Sequence, residues 1–303
     1  MRMSAQEMTT IDLNSGDALG ALRAAIEDCL VAAVDLPPPV PTSLRSAVSY
    51  ALLGPSKRIR PVVVHMIAAG IAVNPVALQV GAAVEMVHTA SLVLDDLPCM
   101  DDASTRRQRP ATHRVYGEAT AILASIALLN RAFGVLAGLE IDKPETRLRL
   151  IEILENAVGW NGLVAGQELD ILGNVDGDRA SAEHLNWLKT GVLFCAAAEM
   201  GGILRGLDDA QLGHIREFAR ELGLAFQMAD DIIDRTASER DAGKDVGKDL
   251  NKTNVVSLLG IEASKQACME HLARADRALV LSSVDPAPYR ALVARHFKLS
   301  GTA

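Results

Sequence analysis

An all-α fold, with the main part of the chain one helical domain, is what this sequence predicts, and three observations predict it. Hydrophobic residues make up 49% of the 303 positions while aromatics make up only 3%, so the core must be assembled from Ala, Leu, Val and Ile. Segments rich in Ala and Leu and poor in Tyr, Phe and Trp favour helices over sheets. Helical patterns also follow one another with short Gly, Pro or Asp punctuation, and no convincing run of alternating strand residues interrupts them.

Taken in order, residues 17 to 34 read as a helix closed by the stiff stretch LPPPVP, whose prolines cannot continue it. This sets residues 1–41, an N-terminal helix with its linker, apart from a domain spanning 42–303. Within that domain the patterns predict helices near 43–53, 58–70, 76–97, 118–138, 145–171, 181–201, 208–234, 253–275 and 286–297. The stretches 76–94 and 190–204 are apolar nearly all round, which places them inside the bundle. Small residues at Gly81, Ala82, Ala83, Ala90 and Ser91 leave space beside the first of these, to be filled by neighbours or kept open as a cavity.

The formal charge of −8 argues against a general nucleic-acid binder, whose affinity needs an excess of Lys and Arg. Cys29, Cys99, Cys195 and Cys268 show neither CxxC nor zinc-site spacing and read as free thiols of a reducing compartment. Cys99 stands among aspartates, but a soft sulfur beside hard oxygens reads as a packing residue. The opening MRMSAQEMTTIDLNSG lacks an apolar signal core, and the most apolar region, 61–94, is broken by His65, Asn74, Pro75, Glu85 and His88. A cytoplasmic chain without stable membrane insertion is expected.

Two acidic clusters carry the chemistry. The stretch LVLDDLPCMDDASTRRQRP packs Asp95, Asp96, Asp101 and Asp102 into eight positions, a costly crowding of like charge unless cations sit among them. Pro98 breaks the regular helix, so a bulged end can bring Asp101 back toward Asp95. In QMADDIIDRTASERDAGKDVGKDLNKT, Asp230 and Asp234 are four apart, on one helix face with Cβ atoms roughly 6 Å apart. Two carboxylates so placed can share Mg²⁺, which keeps waters and phosphate oxygens for its other positions. Cations follow in both cases: Arg106 and Arg107 after the first cluster, and Lys244, Lys248 and Lys252 after the second. The segment PSKRIRP adds Lys57, Arg58 and Arg60. Each basic run alone is compatible with a solvated face; together with magnesium-type carboxylates they describe a diphosphate site.

In these segments, and in LVAGQELD and LKTG between them, the chain resembles the trans-type isoprenyl diphosphate synthases, and within them the carotenoid-type geranylgeranyl diphosphate synthases, from about 43 to 262. The resemblance implies a helical bundle, usually a homodimer, whose two aspartate motifs face each other across a cavity. It implies that Asp95, Asp96, Asp101, Asp230, Asp231 and Asp234 bind three Mg²⁺ around an allylic diphosphate held by Arg106, Lys189, Lys244 and Lys252. Lys57, Arg60, His88 and Arg107 would hold isopentenyl diphosphate, and Thr190 and Gln227 would face the reacting carbons. A lone His on an apolar helix is by default a core residue; the motif around His88 is what gives it a substrate role.

Product length is expected to follow from the helix over 76–97. An isoprene unit is about as long as one helical turn, about 5.4 Å, so a residue roughly one turn before Asp95 forms a floor. Farnesyl-producing relatives carry a bulky aromatic five positions before the first aspartate; here that position is Ala90, followed by Ser91, with Met86 and Val87 a turn further. A small floor implies the C20 product. Ser56 replaces the glycine usual before KRIRP and would strain the turn if positive φ were needed there. Ser125 and Ile126 replace Gly-Asp, and Asn254 replaces a Tyr. Rival readings are a farnesyl or other short-chain synthase, a terpene cyclase, against which Asp230, Asp231 and Asp234 speak, and a non-catalytic partner subunit of a synthase.

Overall fold

A computed structural model describes residues 18–35, 39–173, 179–236, 256 and 260–297. Thirteen α-helices are found among the described residues, with one two-stranded hairpin. They are α1 (Ala18–Val34), α2 (Thr42–Leu52), α3 (Ile59–Ala69), α4 (Pro75–Asp95), α5 (Thr112–Tyr116), α6 (Glu118–Ala137), α7 (Pro144–Val158), α8 (Leu163–Leu172), α9 (Arg179–Asn186), α10 (Val192–Arg205), α11 (Asp209–Thr236), α12 (Ile261–Leu281) and α13 (Ala287–His296). The all-α expectation holds, and most helix ends fall within one or two residues of their expected places.

The departures have local causes. The expected helix over 145–171 is two helices, because Gly159 caps α7 and a Cβ on Gly162 would lie 2.1 Å from the Ala157 carbonyl oxygen, so the backbone doubles back there. The expected helix over 181–201 is α9 and α10 joined by a π-helical turn, Trp187–Gly191. The hairpin, β1 (Thr105–Arg106) paired with β2 (Arg109–Pro110), is too short to carry an alternating pattern. Its two-residue turn, Arg107 and Gln108, has φ of 55° and 61°, a left-handed conformation at both positions as a type I′ turn demands. Neither residue is the Asn or Gly that such a turn favours, so the hairpin stores strain.

Helix α4 is the axis of the bundle. Asn74 caps it, its Oδ1 accepting from the Ala77 amide at 3.0 Å, and Pro75 occupies the first turn, where its missing N–H costs nothing. Helices α1, α2, α3, α6 and α10 surround α4, and α11 with α12 close the far side against α10. Gly81 is there for packing: a Cβ would meet Pro61 of α3 at 2.9 Å. Ala82, Ala83 and Ala90 are likewise filled by neighbours and fully buried, so the small-residue stretch is mostly packed; only Ser91 borders open space.

Helix α1 is part of this core. Leu22, Ile26 and Leu30, spaced four apart, are fully buried and form one apolar stripe. By length and composition alone α4, α6 and the segment 183–205 could cross a membrane, but 72% and 61% of the apolar windows of the first and last are buried inside the bundle. For those two, contact with other helices accounts for the apolar composition. Only 33% of the α6 window is buried, and Ile122, Leu123 and Ile126 stand exposed on its outer face.

Candidate active site

The first acidic segment ends α4 in the bulge the proline foreshadowed. The Asp101 amide donates to the Asp95 carbonyl at 2.9 Å and the Asp102 amide to the Leu97 carbonyl at 3.0 Å, curling the chain back over the helix end. Cys99 lies in this curl and is exposed, not packed as the sequence suggested, because the bulge carries it to the surface. The other three thiols are raised by burial, Cys29 to about 11 and Cys195 and Cys268 to about 12, so they remain protonated.

Asp95 and Asp96 diverge, since adjacent helical positions are about 100° apart. Asp95 faces an apolar cavity of about 240 Å³. Asp96 is 2% exposed and is held from behind by Arg106, whose Nε donates to its Oδ1 at 2.9 Å. Of the three carboxylates grouped as metal ligands, then, the fold curls Asp101 over Asp95 and gives Asp96 to Arg106. Burial pushes the Asp95 carboxyl up to about 6; Lys189 opposes this and Asp101 adds to it. Burial also raises Asp96, against the pull of Arg106.

The cavity runs from Asp95 and Lys189 between α4, α6, α7 and α8, past Ser91 and Leu94 to Val87, Leu129 and Val158. On α4 the facing positions 87, 91, 94 and 95 form one helical stripe. Ala90 and Met86, expected as its floor, are fully buried in the core and do not line it. Ser125 donates to the Ala90 carbonyl at 2.8 Å, closing that side of α4 onto α6.

The second acidic segment lies at the end of α11. Asp230 Oδ1 is 3.7 Å from the Lys57 ammonium, and Asp231 is buried and accepts from Gln227 Nε2 at 2.8 Å. Asp234 lies on α11 with its side chain outside the described set, and Lys244, Lys252 and Asn254 lie outside the described residues altogether.

The π turn joins the two walls. Lys189 points to the Asp95 side, where it pairs with Asp170 of α8, and Thr190 donates to Gln227 Oε1 at 3.1 Å on the Asp231 side. A wide turn brings these neighbours to opposite acidic segments. It forms where it does because two helices press on it: a Cβ on Gly166 of α8 would meet Leu188 at 2.8 Å, and one on Gly223 of α11 would lie 3.3 Å from the Gly191 Cα.

A cationic group flanks the second segment. Arg60 is 8% exposed, its guanidinium 4.5 Å from the Phe194 ring centroid, and its Nε is buried with no hydrogen-bond partner. Burial lowers Arg60 to about 10, with Glu85 and Asp230 pulling it back. His88 is driven well below its ordinary value, first by burial and then by Arg60, Arg107, Arg106 and Arg58, so its imidazole is neutral at pH 7. Arg107 is lowered by burial, and its neighbours Arg58 and Arg106 repel its charge. So many cations in a desolvated place are matched chemically by an anion of high charge.

Sequence reasoning missed Asp170, Glu85 and Glu27. Asp170 lies in LVAGQELD, which was singled out without a role for this residue. A glutamate in the middle of the apolar α4 was the available signal for Glu85, because a charge so placed needs a buried partner. Nothing local marked Glu27, whose partner Arg58 is 31 residues away. Ser56 needs no glycine: it has no positive φ, and its hydroxyl donates to Glu85 Oε1 at 3.1 Å.

Among the described residues no three His, Cys, Asp or Glu side chains form a ready cluster for a metal. Crowded carboxylates with one pushed up to about 6 nevertheless suit Mg²⁺, which takes one or two carboxylates and completes its shell with water and phosphate.

Comparison with known proteins agrees with this geometry. A family model described as polyprenyl synthetase matches residues 41–284. The chain is 42% identical over 234 residues to a geranylgeranyl diphosphate synthase of Pantoea ananas, covering 75% of this chain and 76% of the relative. It is 39% identical over 255 residues to a farnesyl diphosphate synthase of Geobacillus stearothermophilus, covering 82% and 85%. Among solved structures, a geranyltransferase of Helicobacter pylori complexed with magnesium and isoprenyl diphosphate superposes with a TM-score of 0.80 at 28% identity, covering 94% of this chain and 99% of that one. An FPP/GFPP synthase of Zymomonas mobilis gives 0.81 at 31% identity, covering 92% and 97%.

Proposed function

The chain belongs to the polyprenyl synthetase family, and on that premise we propose that it is a magnesium-dependent prenyltransferase condensing isopentenyl diphosphate with dimethylallyl, geranyl and farnesyl diphosphates to give geranylgeranyl diphosphate. One observation carries the reading: an apolar cavity opens at Asp95 and Lys189, and the π turn ties that mouth to Gln227 and Asp231 of the second acidic segment.

Asp95 and Asp101 from one wall and Asp230, Asp231 and Asp234 from the other would hold Mg²⁺, three ions in this reading. Bound there, magnesium supplies positive charge to the diphosphate oxygens as the allylic C–O bond breaks. Lys189, with Lys244 and Lys252, binds that diphosphate and stabilises the charge it gains. Arg106 acts from behind, holding Asp96 and adding its own charge. The allylic carbocation faces the Thr190 hydroxyl and the Gln227 amide oxygen, fixed dipoles that need no reorganisation. Lys57, Arg60 and Arg107 hold isopentenyl diphosphate, and neutral His88 completes that cradle without competing for protons. The isopentenyl double bond attacks the cation, and a carbon-bound proton then leaves to the released pyrophosphate, so no side-chain nucleophile is consumed.

The C20 product is supported by the wall of the cavity. Ser91, one turn before Asp95, is small, and Val87, a turn deeper, leaves room for an additional isoprene unit. The exposed apolar face of α6 supports a homodimer, since a second copy would cover Ile122, Leu123 and Ile126. We also read the chain as a cytoplasmic enzyme without stable membrane insertion. The test is incubation of the purified protein with Mg²⁺, isopentenyl diphosphate and each allylic primer, with product length measured. Geranylgeranyl diphosphate is expected from all three primers; farnesyl diphosphate as the end product would overturn the C20 assignment, and no turnover the enzymatic one.

A further inference from the structure

We infer that α1, which lies outside the region matched by the family model, is a working part of the isopentenyl diphosphate site, with Arg23 and Glu27 as positioning residues for Lys57 and Arg60. The inference rests on the substrate assignment just proposed for those two cations.

The loop between α2 and α3 carries Lys57 and Arg58 and leads straight into the first turn of α3, where Arg60 lies, and side chains of α1 and α4 bind it. Arg58 lies between Lys57 and Arg60 and is 1% exposed, so it cannot reach substrate. Its Nε and Nη2 donate to Glu27 Oε1 and Oε2 of α1 at 2.8 and 3.0 Å, a two-pronged pair of fixed geometry. Its Nη1 donates to Glu85 of α4 at 2.9 Å, and Nη2 also reaches the Leu52 and Gly54 carbonyls at 2.8 and 3.1 Å. Arg23, one turn before Glu27 on the same face of α1, donates to the Ser56 carbonyl. Thus α1 grips the loop on both sides of Lys57.

The grip is needed because the loop's conformation is not self-sustaining. Arg58 has φ of 51°, a left-handed value that strains a non-glycine residue. Its side chain pays for that strain through the bonds to Glu27 and Glu85. Held so, the chain sends Lys57 outward to the Phe226 ring, 5.2 Å from its centroid, and Arg60 inward to Phe194, 4.5 Å from its centroid. Releasing α1 from the loop changes where these cations point without removing either.

Glu27→Gln and Arg23→Gln test this, each leaving the buried stripe of α1 intact. The dissociation constant of isopentenyl diphosphate, measured by calorimetry, and the KM for it are expected to rise about tenfold in each variant. The KM for the allylic diphosphate and kcat should stay within about twofold of wild type. A role limited to stability would lower the melting temperature and the active fraction, hence kcat, with both KM values unchanged. That outcome, or an equal rise in both KM values, overturns the inference. A wild-type chain that binds isopentenyl diphosphate but forms no prenyl product would refute the proposed function instead, and the binding constants of the variants would still decide this point.

Discussion

Replacing Asp95 with Asn should stabilise the metal-free protein while abolishing its activity. The Asp95 carboxyl stands at about 6, against the usual 3.8, because it is buried beside Asp101 and Asp96. A raised carboxyl means that the folded state penalises the charged form, the reverse of a salt-bridged aspartate. The penalty develops as pH rises from 3.8 to about 6 and is complete above that; it vanishes below 3.8, where folded and unfolded chains are both protonated. A difference of about two pH units corresponds to about 3 kcal/mol. Asp95 is half-buried at the cavity mouth, where water screens it, so about 1–2 kcal/mol is expected. For a chain of this size that is a melting-temperature rise of about 2–4 °C. The assay is thermal unfolding of wild type and Asp95→Asn in EDTA at pH 7.5 and pH 4. The variant should melt higher at pH 7.5, and the gap should largely close at pH 4. A variant no more stable than wild type at pH 7.5, or a gap indifferent to pH, refutes the view that crowding stores free energy here for a cation to release. Excess Mg²⁺ at pH 7.5 should narrow the gap from the other side by stabilising only the wild type.

Ser91→Phe puts a ring into the cavity wall and should shift the product from C20 to C15 with dimethylallyl and geranyl primers while leaving farnesyl diphosphate unextended; an unchanged product length on chromatography would remove Ser91 from the floor. Ala90→Tyr, at a fully buried position, should instead overpack the α4 side of the core and cost about 1–3 kcal/mol, read as a lower denaturation midpoint. Gln108→Gly relieves the left-handed hairpin turn and should raise stability by about 1 kcal/mol; a loss of stability would mean that the turn is not strained. Ile126→Glu on the exposed face of α6 should give a monomer by light scattering, whereas a dimer of unchanged mass would place the interface elsewhere.

Most of the helices were legible because apolar spacing and Gly or Pro punctuation are local signals. The site was legible as a set of residues because carboxylate spacing and basic runs are read along the chain. Asp101 curling back over Asp95 followed from Pro98, since a proline must break the helix wherever the fold puts it. The π turn was not legible, because Trp187–Gly191 has ordinary helical residues and widens only where α8 and α11 press against it. The hairpin was missed because four residues are too few to show a period.

What the sequence by itself determined, then, was composition of the core, the order of helices and which ionic residues exist at which spacing. Tertiary structure alone decided which way each of them faces. Helix α4 is apolar nearly all round, so its pattern has no phase, and only its neighbours could turn Ser91 rather than Ala90 to the cavity, or Asp95 rather than Asp96. The same holds for Arg58, which reads as one more surface cation until α1 and α4 bring two carboxylates to it from 31 and 27 residues away. A chain records its charges, but a partner distant in sequence exists only after folding.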